Sequence, residues 1–259
     1  MENALKVALV QSNLSWENPI ENTNNLSRMI DRVSGPVDVF VLPEMFSTAF
    51  TMNANAVAES MTGKTVNWMV QKAQEKQAAI MGSLVIKENN RYYNRLLFVF
   101  PDGQIASYDK RHTFSLAGED KIYTSGTQKR IVEYKGWRLC LMICYDLRFP
   151  VWARNTEAYD ALIYVANWPK VRIAAWDALL KARAIENMAY CIGVNRVGQD
   201  AHSHEYNGHS MAFDVLGNRI DTVTEGAETV EVVTLLKDHI NQYRKTLNFL
   251  KDRDHFEIM

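Results

Sequence analysis

The 259-residue chain carries 29 lysines and arginines against 30 aspartates and glutamates, so its formal net charge of −1 indicates neither a nucleic-acid partner nor an anionic membrane surface. Its length and its 47% hydrophobic content favour one large domain over residues 1–259. Three cysteines without a CxxC pair, no signal-peptide pattern at the N-terminus and no apolar run of membrane-spanning length predict a cytoplasmic protein without disulfides.

The predicted elements begin with strands and helices in alternation. Apolar runs predict strands at residues 5–11, 37–42 and 82–86. Between them, Asn18-Pro19 opens a helix that Gly35-Pro36 stops, and residues 62–77 form a second amphipathic helix. Because Glu44 follows the second strand almost directly, a carboxylate is expected at a strand tip.

The middle of the chain is predicted to contain two strand pairs. The turn Pro101-Asp102-Gly103 predicts a hairpin over residues 92–108, since Asp-Gly between apolar runs is a strong hairpin signal. This hairpin delivers Lys110 just beyond its second strand. Residues 130–134 and 137–143 are expected to pair across a second turn.

The remaining elements return to alternation. Further strands are predicted at residues 161–165, 190–194, 210–214 and 229–235. Further helices are predicted at residues 150–157, 172–189 and 237–244. Residues 198–208 form a polar loop, and residues 249–259 show no pattern. Without repeats or linkers, this order of elements predicts the α/β class, with helices covering the faces of sheets.

Cys144 ends an apolar run that starts at Leu139, and a polar turn follows it. It therefore lies at the C-terminal tip of a buried strand, where ligands meet α/β sheets. A buried apolar cysteine is the alternative interpretation, and Cys140 and Cys191 fit that one better because both lie inside apolar runs. A functional Cys144 requires a base and a group that holds an oxyanion.

Three polar residues follow predicted strands: Glu44, Lys110 and Cys144. Taken singly, the glutamate would be a solvated turn residue and the lysine a surface charge. Together they supply a base, a cation and a nucleophile, which is the set that acyl transfer needs.

The segments around these residues resemble the three catalytic blocks of the nitrilase superfamily of carbon–nitrogen hydrolases. The blocks are Leu42-Pro43-Glu44-Met45-Phe46, Tyr108-Asp109-Lys110-Arg111-His112-Thr113-Phe114 and Cys144-Tyr145-Asp146-Leu147-Arg148-Phe149-Pro150. Further matches are Ala166-Asn167-Trp168, Arg183-Ala184-Ile185-Glu186-Asn187 and Gly208-His209-Ser210. The third block and the short chain are most similar to the omega-amidase branch, which deamidates 2-oxoglutaramate and 2-oxosuccinamate.

The resemblance implies a four-layer αββα sandwich, a homodimer that packs through the helices after the nucleophile and near residues 175–189, and no cofactor or metal. It also implies that Glu44 is the general base and Cys144 the nucleophile of a thioester mechanism. Lys110 and the Tyr145 backbone N–H would hold the oxyanion. Glu119 is the best match to the second acid of the family, with Asp120 as the alternative.

The substrate side of the site is also implied by the resemblance. An omega-amide of a 2-oxo acid carries a carboxylate, which requires a cation besides Lys110. Arg148 is the preferred candidate and Arg111 the other. The structural alternative is that Arg148 pairs with Asp146 or another acid and braces the turn. Asn167 belongs to the same substrate-binding set, and Phe46, Phe114 and Trp168 are expected to form apolar walls that exclude larger amides.

Several alternatives stay open from the sequence. One alternative is a relative that acts on another small amide, a nitrile or a carbamoyl group. Another is a catalytically silent member that binds a ligand or a protein. A papain-like pair of Cys144 with His209 lacks the local motif expected around the nucleophile. His202, His204 and His209 do not show metal-ligand spacing, and solvent exposure is their expected state.

Overall fold

Two β-sheets form the centre of the computed structural model, which describes residues 3–258. In chain order the strands are β1 (Ala4–Gln11), β2 (Val39–Val41), β3 (Ala79–Glu88), β4 (Arg91–Val99), β5 (Ile105–Asp109), β6 (Arg130–Tyr134), β7 (Trp137–Ile143), β8 (Ala161–Ala166), β9 (Tyr190–Asn195), β10 (Val197–Gln199), β11 (Glu205–Asn207), β12 (Met211–Phe213) and β13 (Thr229–Leu236). The α-helices are α1 (Pro19–Asp31), α2 (Ala54–Val57), α3 (Lys64–Lys76), α4 (Glu119–Ile122), α5 (Pro150–Ala153), α6 (Ile173–Asn187) and α7 (Lys237–Leu247). Short 3-10 turns cover Ser115–Ala117, Cys144–Arg148, Lys170–Arg172 and Phe249–Asp252.

Within residues 3–258 the strands pair into a six-stranded sheet, a five-stranded sheet and a small hairpin of β10 and β11. The six-stranded sheet has the order β13-β1-β2-β3-β4-β5, and the five-stranded sheet has the order β12-β9-β8-β7-β6. Strands β1, β2 and β3 are parallel, as are β7, β8 and β9. Glu44 and Cys144 therefore follow the carboxyl ends of parallel strands in two different sheets.

Strand β1 shows why the apolar runs are nearly continuous. Leu5, Val7 and Leu9 belong to a core cluster shared with the five-stranded sheet. Ala8 and Val10, on the opposite face, belong to a cluster shared with α1 and α3. Because both faces of the strand are buried, there is no polar alternation in its sequence.

Helix α6 covers the outer face of the five-stranded sheet. A Cβ atom on Gly193 of β9 would lie 2.5 Å from the Trp176 ring and 2.6 Å from Leu180, so this close approach of helix and strand requires glycine. The layers are therefore helix, sheet, sheet and helix. The expected four-layer αββα sandwich is confirmed.

The structure differs from the predicted elements at several points. Residues 198–208, predicted as a polar loop, lie mostly in the β10–β11 hairpin, whose strands are too short to show an alternating pattern. The helix predicted at residues 150–157 ends at Ala153. Within residues 3–258, no helix combines the length and the apolar content needed to cross a membrane.

Candidate active site

Cys144 occupies a sharp turn at the end of β7. Its backbone has a φ of 41°, which lies in the left-handed region that residues other than glycine rarely adopt. The thiol is half-buried, and the 3-10 turn Cys144–Arg148 begins at the same residue. Met45, directly after Glu44, has a φ of 42°, and its N–H donates to the Ser83 hydroxyl over 2.8 Å. Both strand tips thus carry a left-handed residue where the chain leaves the sheet.

Lys110 lies between two buried carboxylates. Its Nζ atom donates to Glu44 Oε1 over 2.9 Å and to Glu119 Oε1 and Oε2 over 3.0 and 2.9 Å. Glu119 has no exposed surface, whereas Asp120 points into solvent. The structure therefore places Glu119, and not Asp120, beside the ammonium.

Two asparagines hold the Glu44 carboxylate in place. Asn94 Nδ2 donates to Glu44 Oε1 over 2.8 Å and to Glu119 Oε1 over 3.2 Å. The Asn167 backbone N–H donates to Glu44 Oε2 over 2.9 Å, and its Nδ2 donates to the Glu44 carbonyl over 2.5 Å. Each Glu44 oxygen is thus fixed by a donor from another element, so the carboxylate has little freedom to rotate.

The electrostatics of the cluster follow from burial and close charges. Burial alone would lower the pKa of Lys110, but the carboxylates of Glu119 and Glu44 outweigh it and hold that pKa above its ordinary value. Burial, with a contribution from Glu44, raises the pKa of Glu119 against the opposing effect of Lys110. Burial also raises the pKa of the Cys144 thiol well above its ordinary value, and Glu44 adds to the shift. In the free protein Cys144 is therefore a thiol, which would need a base in order to act as a nucleophile.

We predict that the Cys144 thiolate forms only at pH values above the range in which ordinary thiols titrate. Burial and the Glu44 carboxylate disfavour the anion, so at any given pH the thiolate fraction is smaller than that of an exposed thiol of pKa ~8.5. Ultraviolet thiolate absorbance followed against pH, as the difference between the wild type and Cys144→Ala, isolates this group from Cys140 and Cys191. An absorbance difference that rises in the pH range where ordinary thiols titrate would contradict the prediction.

One cavity of about 600 Å³ joins the site to solvent. The sequence-predicted residues among its lining are Glu44, Lys110, Phe114, Cys144, Tyr145, Arg148, Asn167 and Trp168. Its size is in the range that holds a drug-sized ligand, so the walls do not exclude amides larger than a five-carbon acid on volume alone. This volume gives no support to the expectation that the apolar walls exclude larger amides.

Two residues expected at the substrate lie elsewhere. Phe46 is fully buried against the Trp68 ring, with 5.7 Å between ring centres, in the core between the six-stranded sheet and its helices. Arg111 donates to the Gly126 carbonyl over 3.1 Å and lies over the Trp152 ring. Neither side chain lines the cavity. Both follow a catalytic residue closely in sequence, but the local backbone turns their side chains away.

Arg148 does reach the cavity. Its guanidinium carbon lies 4.9 Å from the centre of the Trp168 ring. Asp146, the alternative partner of Arg148, instead accepts hydrogen bonds from Tyr108, His112 and the Ile143 backbone. Within the described residues Arg148 therefore does not form the ion pair with Asp146 that was one form of the structural alternative.

Comparison with known proteins places this geometry in a family. The family model for carbon–nitrogen hydrolases matches residues 6–245. The chain belongs to this family. It is 40% identical over 260 residues to omega-amidase YafV of Yersinia enterocolitica, a match that covers 99% of this chain and 100% of the relative. It is 32% identical to the 2-oxoglutaramate amidase of Bacillus subtilis, over 82% of this chain and 83% of the relative.

A solved structure is similar to this chain over its full length. It is a carbon–nitrogen hydrolase superfamily protein of Xanthomonas campestris that carries an arsenic adduct in its active site. The two chains superpose with a TM-score of 0.97 at 36% identity, over the full length of both. The resemblance to the nitrilase superfamily drawn from the sequence motifs is confirmed.

The histidines of this carbon–nitrogen hydrolase lie in different environments. His202 and His204 are exposed, as expected, and both line the cavity. His209, expected to be exposed, is half-buried, and its Nδ1 lies 3.0 Å from an oxygen of Asp177 on α6. It does not line the cavity that contains Cys144. Within residues 3–258, no cluster of three or more histidine, cysteine or acidic side chains could hold a metal ion.

Sequence reasoning missed other residues of this carbon–nitrogen hydrolase site. Asn94 lies inside a strand, and no local signal marks it as a partner of both glutamates. Arg172 lines the cavity, with its guanidinium carbon 5.3 Å from the centre of the Phe114 ring. It lies four residues after the Ala166-Asn167-Trp168 match, so proximity to that block was the available signal. Asn195 Oδ1 accepts the Trp168 backbone N–H over 2.7 Å and so fixes the loop that carries Asn167.

Proposed function

We propose that this chain is an omega-amidase, a thiol amidohydrolase that releases ammonia from small omega-amides of 2-oxo acids such as 2-oxoglutaramate and 2-oxosuccinamate. The observation that carries the proposal is that Glu44, Lys110 and Cys144, from three separate segments, line one cavity. The full-length similarity to an omega-amidase and the similarity to a 2-oxoglutaramate amidase support this choice of substrate.

In the proposed acylation step, Glu44 takes the proton of the Cys144 thiol, and sulfur attacks the amide carbonyl. The raised pKa of the thiol makes this base necessary. The negative charge on the carbonyl oxygen is held by the Lys110 ammonium and the Tyr145 backbone N–H. The intermediate collapses as Glu44 returns its proton to the leaving ammonia, and a thioester on Cys144 remains.

In the proposed deacylation step, Glu44 removes a proton from water, and the hydroxide attacks the thioester. The acid leaves and the thiol is restored. Glu119 orients Lys110, since it accepts two of the hydrogen bonds that the ammonium donates. The acid–base chemistry requires no group from outside the chain other than water and substrate.

Two arginines are proposed to receive the substrate carboxylate. Arg148 and Arg172 both line the cavity, each over an aromatic ring, and within residues 3–258 neither forms an ion pair with a carboxylate. A guanidinium that lies over a ring can keep the N–H donors at its edge free, and a carboxylate binds such an edge with two hydrogen bonds. Arg148 remains the preferred residue because it lies in the same turn as Cys144.

We predict that Arg148→Lys raises KM for 2-oxoglutaramate about tenfold and leaves a neutral short amide unaffected. Lysine keeps the positive charge but cannot donate two parallel hydrogen bonds to the carboxylate. A tenfold change in affinity corresponds to about 1.4 kcal/mol of binding free energy. Steady-state kinetics on both amides test this, with Arg32→Lys on the exposed end of α1 as a matched control. An equal loss of kcat/KM on both substrates would show a structural role for Arg148. The same measurement on Arg172→Lys would then show whether Arg172 binds the carboxylate.

Ammonia release from a panel of amides tests the proposed function itself. The panel contains 2-oxoglutaramate, 2-oxosuccinamate, glutamine, a short aliphatic amide, a nitrile and a carbamoyl compound. We expect the highest kcat/KM on the two 2-oxo acid amides. A clear preference for a nitrile or a carbamoyl compound would assign another activity of the family, and no turnover of any member would indicate a silent binding protein.

The proposal extends to the domain organisation, the oligomeric state and the location of the protein. A core cluster that contains residues of both large sheets supports a single domain over residues 1–259. A homodimer through α6 is supported by the exposed side chain of Ile185, which is 44% accessible in the middle of an otherwise buried helix end. A cytoplasmic location is supported by three cysteines that are all free.

A further inference from the structure

Asp146 is a fully buried carboxylate in the turn that begins at Cys144. Its Oδ2 atom accepts the Ile143 backbone N–H over 3.0 Å and the Tyr108 hydroxyl over 2.7 Å. Its Oδ1 atom accepts the His112 backbone N–H over 3.0 Å and lies 2.8 Å from His112 Nδ1. Because a carboxylate only accepts hydrogen bonds, Nδ1 of this histidine carries a proton.

These four bonds join two catalytic segments. Ile143 immediately precedes Cys144, and Asp146 is the third residue of the turn that carries it. Tyr108 and His112 bracket Lys110 on either side, two residues before it and two after it. The Asp146 carboxylate therefore connects two segments. One carries Cys144 at the end of β7 in the five-stranded sheet, and the other carries Lys110 after β5 in the six-stranded sheet.

The surroundings make this connection rigid. The Tyr108 hydroxyl also accepts hydrogen bonds from Trp152 Nε1 over 3.0 Å and from the Arg111 backbone N–H over 3.2 Å. The His112 ring stacks on the Phe149 ring with centres 3.7 Å apart and planes 3° from parallel. Both Asp146 oxygens, the Tyr108 hydroxyl and His112 Nδ1 thus have hydrogen-bond partners. A satisfied network of this kind favours a single arrangement of its side chains.

We propose that Asp146 is a positioning residue that sets the distance and direction between the Cys144 sulfur and the Lys110 ammonium, with His112 as its second anchor. The inference rests on the roles proposed above for these two residues. His112 does not line the cavity, so it acts through Asp146 and not on the substrate. The bond from Nδ1 is the part of His112 that matters for this role.

Asp146→Asn tests the proposal with almost no change of shape. The amide presents one acceptor oxygen and one NH₂ group to four donors, so two donors lose their acceptor. We expect kcat to fall about 100-fold with KM little changed, as a misplacement of about 1 Å between reacting groups is known to produce. Asp221→Asn is the control, since Asp221 is also buried and accepts the Ala212 backbone N–H over 2.7 Å away from the cavity. It should lower the unfolding temperature without lowering kcat.

A histidine pair keeps the proposal testable if Asp146→Asn does not fold. The side-chain nitrogen of asparagine takes the place of Nδ1 in His112→Asn, whereas that of glutamine takes the place of Nε2 in His112→Gln. We expect the asparagine variant to retain at least tenfold more kcat than the glutamine variant. Equal kcat in the two histidine variants, or an unchanged kcat in Asp146→Asn, would overturn the proposal. An inactive wild type on every amide would instead overturn the proposed function.

Discussion

Cys144→Ala should abolish amide turnover, with kcat lowered by about four orders of magnitude or more, as removal of a nucleophile does in other hydrolases. The fold should persist, because the half-buried thiol lines a solvent-filled cavity and its loss leaves no enclosed void. Ammonia release measures the loss of activity, and thermal unfolding checks the fold. Intact mass of the wild type with a slowly hydrolysed amide should show an added acyl group that Cys144→Ala does not acquire.

Cys140→Ala is the matched control for this experiment. Cys140 lies in β7, the strand that ends directly before Cys144, is fully buried and belongs to the core shared by the two sheets. Its replacement should lower the free energy of unfolding by about 1–3 kcal/mol while leaving kcat close to that of the wild type. Substantial turnover by Cys144→Ala, or an acyl adduct that persists in it, would show that the nucleophile is another group.

Lys110→Met should lower kcat roughly 100- to 1,000-fold, the usual loss when one oxyanion donor is removed, with a much smaller change in KM. Methionine preserves the length and apolar stem of lysine but not its charge. Removal of the ammonium also leaves the Glu44 and Glu119 side chains buried close together without their shared cation, and this uncompensated negative charge destabilises the fold. A single variant therefore mixes a catalytic effect with a structural one.

A double variant separates the two effects. In Lys110→Met/Glu119→Gln one of the two carboxylates becomes neutral, so the repulsion is relieved and the unfolding temperature should recover. The activity should not recover, because the oxyanion still lacks its ammonium. Recovery of kcat together with stability would show that Lys110 serves only to neutralise the glutamates, and a change confined to KM in the single variant would contradict the oxyanion role.

The sequence was sufficient to predict the residues at the ends of strands. Glu44 and Cys144 each follow the end of an apolar run, and a strand buried on both faces makes that end easy to see. Lys110 was found through the turn signal of the hairpin whose second strand precedes it. The same reasoning was wrong for Phe46 and Arg111. Their side-chain directions depend on the backbone of a turn, such as the left-handed Met45, and no periodicity describes a turn.

Contacts between distant segments were beyond the reach of sequence patterns. Asn94 meets Glu44 across 50 residues and Glu119 across 25, and its position inside β4 looks like any other interior strand position. The β10–β11 hairpin carries three residues in each strand, which is too short for alternation to appear. Both features depend on which strands become neighbours, and that is a property of the whole fold.

The left-handed backbone at Cys144 has a consequence for the evolution of the protein. A residue other than glycine in this region costs about 1–3 kcal/mol, and glycine would remove most of that cost. Selection for stability alone would therefore favour replacing the residue on which the proposed activity depends. A library of variants at position 144 that is sorted for thermal resistance should be enriched in glycine. The same library selected for growth on an amide as nitrogen source should return only cysteine, so selection for stability and selection for activity favour different residues at this position.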